Sequence, residues 1–168
     1  MKLIDIIAGA RPNFMKIAPI IAEIESRKSK NYNLDYRLIH TGQHYDKKLS
    51  EIFFKQLKIP EPKHNLEVGS GTQAEQTANI MIRYEKLLFQ KSCDLNLVVG
   101  DVNSTMACSI TAKKLKIPVA HVEAGIRSGD YNMPEEINRI LTDSITDYFF
   151  TTSIGANENL KRVGVKDE

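Results

Sequence analysis

The sequence predicts an α/β domain, three layers deep, built on a mainly parallel sheet. Short apolar or β-branched runs recur along it, each followed by a polar or glycine-containing turn and then by a longer segment with helical spacing. That alternation is the mark of a parallel sheet covered by helices. The 168 residues are 42% apolar and 26% charged, the balance of one globular domain long enough to bury a core.

Each element has its own justification. Residues 3–8 form a first strand, after which Phe14, Ile17, Ile20, Ile21 and Ile24 repeat at three and four residues, as a core-facing helix requires. Pro19 is expected near the first turns of that helix or at a bend in it. Residues 36–40 form the second strand and 48–57 its helix, stopped by Lys58-Ile59-Pro60-Glu61-Pro62. A third, less patterned strand takes 65–68, and Gly69-Ser70-Gly71-Thr72 is a flexible turn before a long amphipathic helix over 73–90. The run 95–99, apolar except for Asn96, is a strand covered on both faces. Helix 105–115, strand 119–122, helix 135–145, strand 148–151 and helix 156–163 complete the pattern, without internal repeats.

Composition excludes several classes. A balance of 23 basic and 21 acidic side chains, formally +2, is too even for a protein whose task is gripping a phosphate polymer, so no nucleic-acid partner is expected. No apolar run is long enough to span a membrane, and the start, Met1-Lys2-Leu3-Ile4-Asp5, reads as the first strand of a cytosolic protein rather than a signal peptide. Cys93 and Cys108 have neither metal-ligand spacing nor a second pair, and are expected as reduced, partly buried thiols. No HxH, HExxH or CxxC spacing accompanies the acidic residues, which disfavours a metal site.

In parallel α/β sheets ligands bind outside the carboxyl ends of the strands, so the strand-end loops carry the candidates. Gly9-Ala10-Arg11 lacks both the dinucleotide glycine spacing and the P-loop lysine. Arg11 can still fork onto an anion and Lys16 add a point charge, the alternative being a solvated basic pair. In Gly100-Asp101-Val102-Asn103-Ser104, Asp101, Asn103 or Ser104 is either a helix cap or, for Asp101, a carboxylate at the ligand crevice. Period two puts His121 and Glu123 on one strand face. A satisfied core histidine is the expected state of His121, but a strand end does not require the acid at Glu123. Pro134-Glu135-Glu136 is a helix start with acids against the positive dipole end, which suffices to explain Glu136, so Glu136→Gln is expected to cost little. Asp101, Glu123 and Glu135, arriving from separate segments, make an acid–base constellation.

These motifs in this order, Gly9-Ala10-Arg11-Pro12 with Lys16, Gly42-Gln43-His44, Gly100-Asp101, His121-Val122-Glu123-Ala124-Gly125-Ile126-Arg127 and Pro134-Glu135-Glu136-Ile137-Asn138-Arg139, resemble the non-hydrolysing UDP-N-acetylglucosamine 2-epimerases. The likeness runs over essentially the whole chain. It implies a Rossmann-like domain over 1–168, the first half of a two-domain fold like that of one large class of glycosyltransferases, with the C-terminal nucleotide-binding domain absent. It implies Asp101, Glu123 and Glu135 as catalytic carboxylates and Arg11, Lys16, His44 and Arg139 as substrate-binding residues. It further implies a UDP-sugar substrate, no cofactor, no metal, no membrane partner, a cytoplasmic location and a homodimer in the full-length form. Two departures stand out: Asn13 replaces the acid of a family Gly-Thr-Arg-Pro-Glu, and Gly69-Ser70-Gly71-Thr72 lacks the arginine expected of a second, regulatory nucleotide-sugar site.

The implied chemistry is elimination of UDP across C1 and C2 of the sugar, through 2-acetamidoglucal, with re-addition on the other face. It needs a base for the C2 proton, an acid opposite and stabilisation of positive charge at C1. Which carboxylate takes which role is open at this level. A glycosyltransferase half or a sugar-nucleotide module without catalysis would share the fold. A phospho-acceptor domain would need an acidic pair where Gly9-Ala10-Arg11 stands.

Overall fold

The computed structural model describes residues 1–42, 54 and 56–166. Strand β1 (Lys2–Ala8) leads into helix α1 (Arg11–Ser29), and β2 (Leu34–His40) and β3 (His64–Asn65) follow. Next come α2 (Gln73–Gln90), β4 (Leu95–Val99), α3 (Asn103–Lys114), β5 (Val119–Val122), α4 (Pro134–Ile145), β6 (Tyr148–Phe150) and α5 (Ile154–Arg162). The sheet has the order β3-β2-β1-β4-β5-β6 and every pairing in it is parallel. Strand order therefore reverses between β1 and β4, the position at whose carboxyl edge parallel α/β sheets form their ligand crevice.

Alternation along the strands divides the core in two. Leu3 and Ile7 join Ile39, Val98 and Val119 beneath Ile80, Tyr84 and Leu88 of α2 and Ala107, Cys108 and Ala112 of α3. Ile6 and Ala8 turn to the opposite face with Leu38, Leu97 and Val99, under Phe14, Ile17, Ile21 and Ile24 of α1. Each such large apolar side chain contributes about 1.5–3 kcal/mol on burial. Between β1 and β2 an ion pair crosses the sheet: Arg37 Nε and Nη2 donate to Asp5 Oδ1 and Oδ2, both at 2.7 Å, and the Tyr84 hydroxyl donates to Asp5 Oδ2 at 3.0 Å.

Some expectations shift. Pro19 lies well inside α1 on its exposed side, where a missing N–H is tolerated, rather than in the first turns. The third strand stops at Asn65 because Glu67 adopts φ 51°, although Leu66 and Val68 still donate to the carbonyls of His40 and Thr41. The turn before α2 ends in a capping box, Thr72 Oγ1 accepting from Glu75 N–H while Glu75 Oε2 accepts from Thr72 N–H. Helix α3 starts at Asn103 behind Val102 with no side-chain cap, so none of Asp101, Asn103 and Ser104 acts as one. The helix expected over 48–57 falls largely outside the described residues, but Phe54 packs edge-on against Phe14 with centroids 4.9 Å apart.

Candidate functional site

The loops after β1, β4 and β5 meet at the carboxyl edge. Gly9 lies so close to α3 that a Cβ there would stand 2.3 Å from Ser104 Oγ, which itself bonds Thr41 Oγ1 at 2.7 Å. Only glycine lets the first loop pack down on the helix beyond the switch point. Asn13 is buried beneath this loop: its Oδ1 accepts from Gly9 N–H and Ala10 N–H, and its Nδ2 donates to Val99 O at 3.1 Å. Those two amides are thereby satisfied from within the protein. The Arg11 side chain is exposed at the start of α1, without a hydrogen-bond or ion-pair partner among the described residues.

Lys16, one turn further along α1, reaches across the crevice to Glu123, with Nζ 2.5 Å from Oε2. Period two does not carry past Val122, because Glu123 adopts φ 72° and leaves the strand geometry. His121 thus points into the layer of α4, while Glu123 meets α1 in the other layer. Gly100, at φ 72°, lies where these groups converge: a Cβ there would sit 3.4 Å from Asn13 Nδ2, 3.6 Å from Glu123 Oε2 and 3.7 Å from Lys16 Nζ.

Asp101 follows directly. Arg139 donates from Nε and Nη2 to Asp101 Oδ2, at 3.0 and 2.5 Å, while Oδ1 has no partner among the described residues. The Asp101 carbonyl accepts from Asn138 Nδ2 at 2.8 Å. Asn138 continues to Asn103 Oδ1, and Asn103 donates on to Gln73 Oε1. Arg139, expected from the resemblance to contact substrate, is here engaged with carboxylates of its own chain.

His121 is fully buried and satisfied, with Nε2 2.8 Å from the Gly100 carbonyl and Nδ1 2.7 Å from Asp143 Oδ1. Asp143 Oδ2 accepts from Gly125 N–H and Arg127 Nη1. One aspartate of α4 thus gathers positions 121, 125 and 127 of the histidine-to-arginine motif and leaves Glu123 outside. Burial would raise the Asp143 carboxyl, but His121 and Arg127 hold it below its usual range.

Glu136 departs from the helix-dipole expectation. It is 1% exposed, accepts from Ser128 and Gly129 N–H, and takes Arg139 Nη1 at 2.8 Å. Burial opposes its ionisation, yet those donors outweigh burial and bring its pKa down to about 2. Glu135 is half-buried and without a protein partner among the described residues. It shares a helix face with Arg139, four residues on. Composition and spacing do not mark Asp143, Asn138 and Glu136 as site builders; the signal that can is a set of polar residues on the buried face of α4. His44 lies outside the described residues. Among the described residues no group of three or more His, Cys, Asp or Glu could hold a metal ion.

Comparison with known proteins gives a consistent result. The family model for UDP-N-acetylglucosamine 2-epimerase matches residues 26–168. The UDP-N-acetylglucosamine 2-epimerase of Methanocaldococcus jannaschii is 48% identical over 99% of this chain and 44% of its own length. A UDP-2,3-diacetamido-2,3-dideoxy-D-glucuronate 2-epimerase of Pseudomonas aeruginosa is 43% identical over 98% and 45%. The crystal structure of the M. jannaschii enzyme in complex with UDP-GlcNAc and UDP superposes with a TM-score of 0.91, covering 99% of this chain and 44% of that one. The UDP-GlcNAc-bound enzyme of Neisseria meningitidis, 29% identical, superposes at 0.88 over 99% and 44%. The chain spans less than half the length of these relatives.

Proposed function

The chain belongs to the UDP-N-acetylglucosamine 2-epimerase family, and from that premise we propose that it supplies the N-terminal half of an enzyme interconverting UDP-N-acetylglucosamine and UDP-N-acetylmannosamine. The observation that carries the proposal is the convergence at Gly100, where Asp101 follows in sequence and Glu123 and Lys16 approach in space. Elimination of UDP breaks the C1–O bond as the C2 proton leaves. Carboxylates on both sides of the sugar can remove that proton, return one to the other face and stabilise positive charge at C1. Asp101 and Glu123 each keep one oxygen without a protein partner among the described residues, and Glu135 keeps both. Arg11 and Lys16 suit the diphosphate, and a second half, as long as its relatives possess, would close over the nucleotide. The protein then works in the cytoplasm, supplying amino sugars for polysaccharide, and as a homodimer at full length. None of the described helices is long and apolar enough to cross a membrane.

The test uses the chain extended to the length of its relatives, incubated with UDP-N-acetylglucosamine in D₂O. The product is expected to carry deuterium at C2, with 2-acetamidoglucal and UDP slowly escaping. Retention of the original hydrogen defeats the elimination route. Turnover only of a 2,3-diacetamido uronate substrate, as the P. aeruginosa relative is named for, would move the substrate assignment and keep the reaction.

A further inference from the structure

Glu136 has more bonds than a helix-start acid needs. Attraction to the dipole would be served by an exposed side chain, whereas here both oxygens are used and every partner donates. Only an ionised carboxylate accepts from all of them; a glutamine would turn its NH₂ toward a donor. One of the partners is Arg139, whose remaining donors, Nε and Nη2, rest on Asp101 Oδ2. The guanidinium therefore bridges two carboxylates, one on its own helix and one on the loop after β4. Its planar fork fixes both directions at once, which a lysine ammonium does not.

We propose that Glu136 and Arg139 are positioning residues for Asp101. Glu136 anchors the guanidinium, and the guanidinium holds one Asp101 oxygen so that the other is kept for substrate. The same glutamate ties down the loop at Ser128 and Gly129, so the segments after β4 and β5 are set from one helix end. Of the two adjacent glutamates, Glu135 is left for chemistry and Glu136 for geometry. This inference rests on the epimerase role of Asp101 proposed above.

Two measurements test it together. In the extended protein, Glu136→Gln is expected to lower kcat about 10- to 100-fold while KM changes less than about threefold. In the 168-residue chain, the ¹³C carboxyl resonance of Asp101 is expected to move in Glu136→Gln, although residue 136 has no bond to Asp101. Arg139→Lys should give both effects too, yet leave the slow amide exchange of Ser128 and Gly129 intact, which Glu136→Gln accelerates. An unmoved Asp101 resonance in Glu136→Gln overturns the proposal even if the rate falls, since the loss would then come from the loop alone. An unchanged kcat overturns it as well. Should Glu136→Gln fail to fold, Arg139→Lys carries the same two readouts. A wild-type protein without epimerase activity sinks the function proposed for Asp101, while the resonance still decides whether the pair positions it.

Discussion

Asp5 and Arg37 face each other in register on β1 and β2, with side chains 0% and 3% exposed, whereas Asp101 and Arg139 pair at the carboxyl edge, 32% and 13% exposed. The residue types are the same; the use of the carboxylate is not. In the interior each oxygen of Asp5 takes an arginine nitrogen, and Tyr84 adds a third donor. At the edge both arginine nitrogens crowd onto Oδ2 of Asp101 and leave Oδ1 unpartnered among the described residues. A carboxylate saturated by its own protein can only hold structure together, while one left half-satisfied beside a crevice can act on something else. Applied to the glutamates, the same distinction separates Glu136, with both oxygens engaged, from Glu123 and Glu135.

The largest expected effect breaks the interior pair. Arg37→Met leaves Asp5 buried with a charge that the Tyr84 hydroxyl and the weakly donating Cys93 thiol do not compensate, and should destabilise the domain by about 3–5 kcal/mol. Denaturant unfolding measures it. A loss under about 1 kcal/mol would mean that the interior pair is no more structural than the one at the edge.

What the sequence made legible follows the same division. Apolar period shows wherever packing alone decides: Phe14, Ile17, Ile21 and Ile24 mark α1, and the run 95–99 marks β4. The candidate loops were legible because strand ends in a parallel sheet open on one edge. Polar residues inside the fold were harder, since Asp5, Arg37 and Glu136 look like surface charges until their partners, distant in sequence or folded beneath a loop, are known. The sequence alone therefore places Glu136 against the helix dipole. Glu123 takes the opposite side from the one that strand alternation predicts, because its own left-handed backbone ends the alternation.

Acid should unravel the edge in two stages of intermediate size. Burial lowers the pKa of His40, at the end of β2, to about 4, so it stays neutral in the fold while the unfolded chain takes a proton below about 6.5. Stability should therefore decline as pH falls from about 6.5 to 4 and gain no further loss from this group below that. Glu136 has the opposite chemistry and the same sign. Its depressed pKa adds stability that is fully present above about 4.5 and is lost as pH falls through about 2. Each window is worth on the order of 3 kcal/mol. Unfolding curves taken across both windows should show Glu136→Gln flattening only the lower one and His40→Asn only the upper. A lower window that persists in Glu136→Gln would mean that another carboxylate carries it.

The smallest effect on stability belongs to the edge pair, and it sharpens the comparison most. Asp101→Asn keeps an oxygen for Arg139 and removes a charge that is already one-third exposed, where an ion pair contributes about 0–1 kcal/mol. The unfolding midpoint should hardly move. Activity in the extended protein should nevertheless fall about 10²- to 10⁴-fold, because an amide cannot take or give the C2 proton. Arg37→Met and Asp101→Asn would then be mirror images, one losing the fold and the other losing the reaction. If Asp101→Asn instead destabilised the domain as much as Arg37→Met, Asp101 would be a second structural carboxylate, and Glu123 and Glu135 would be left to carry the chemistry between them.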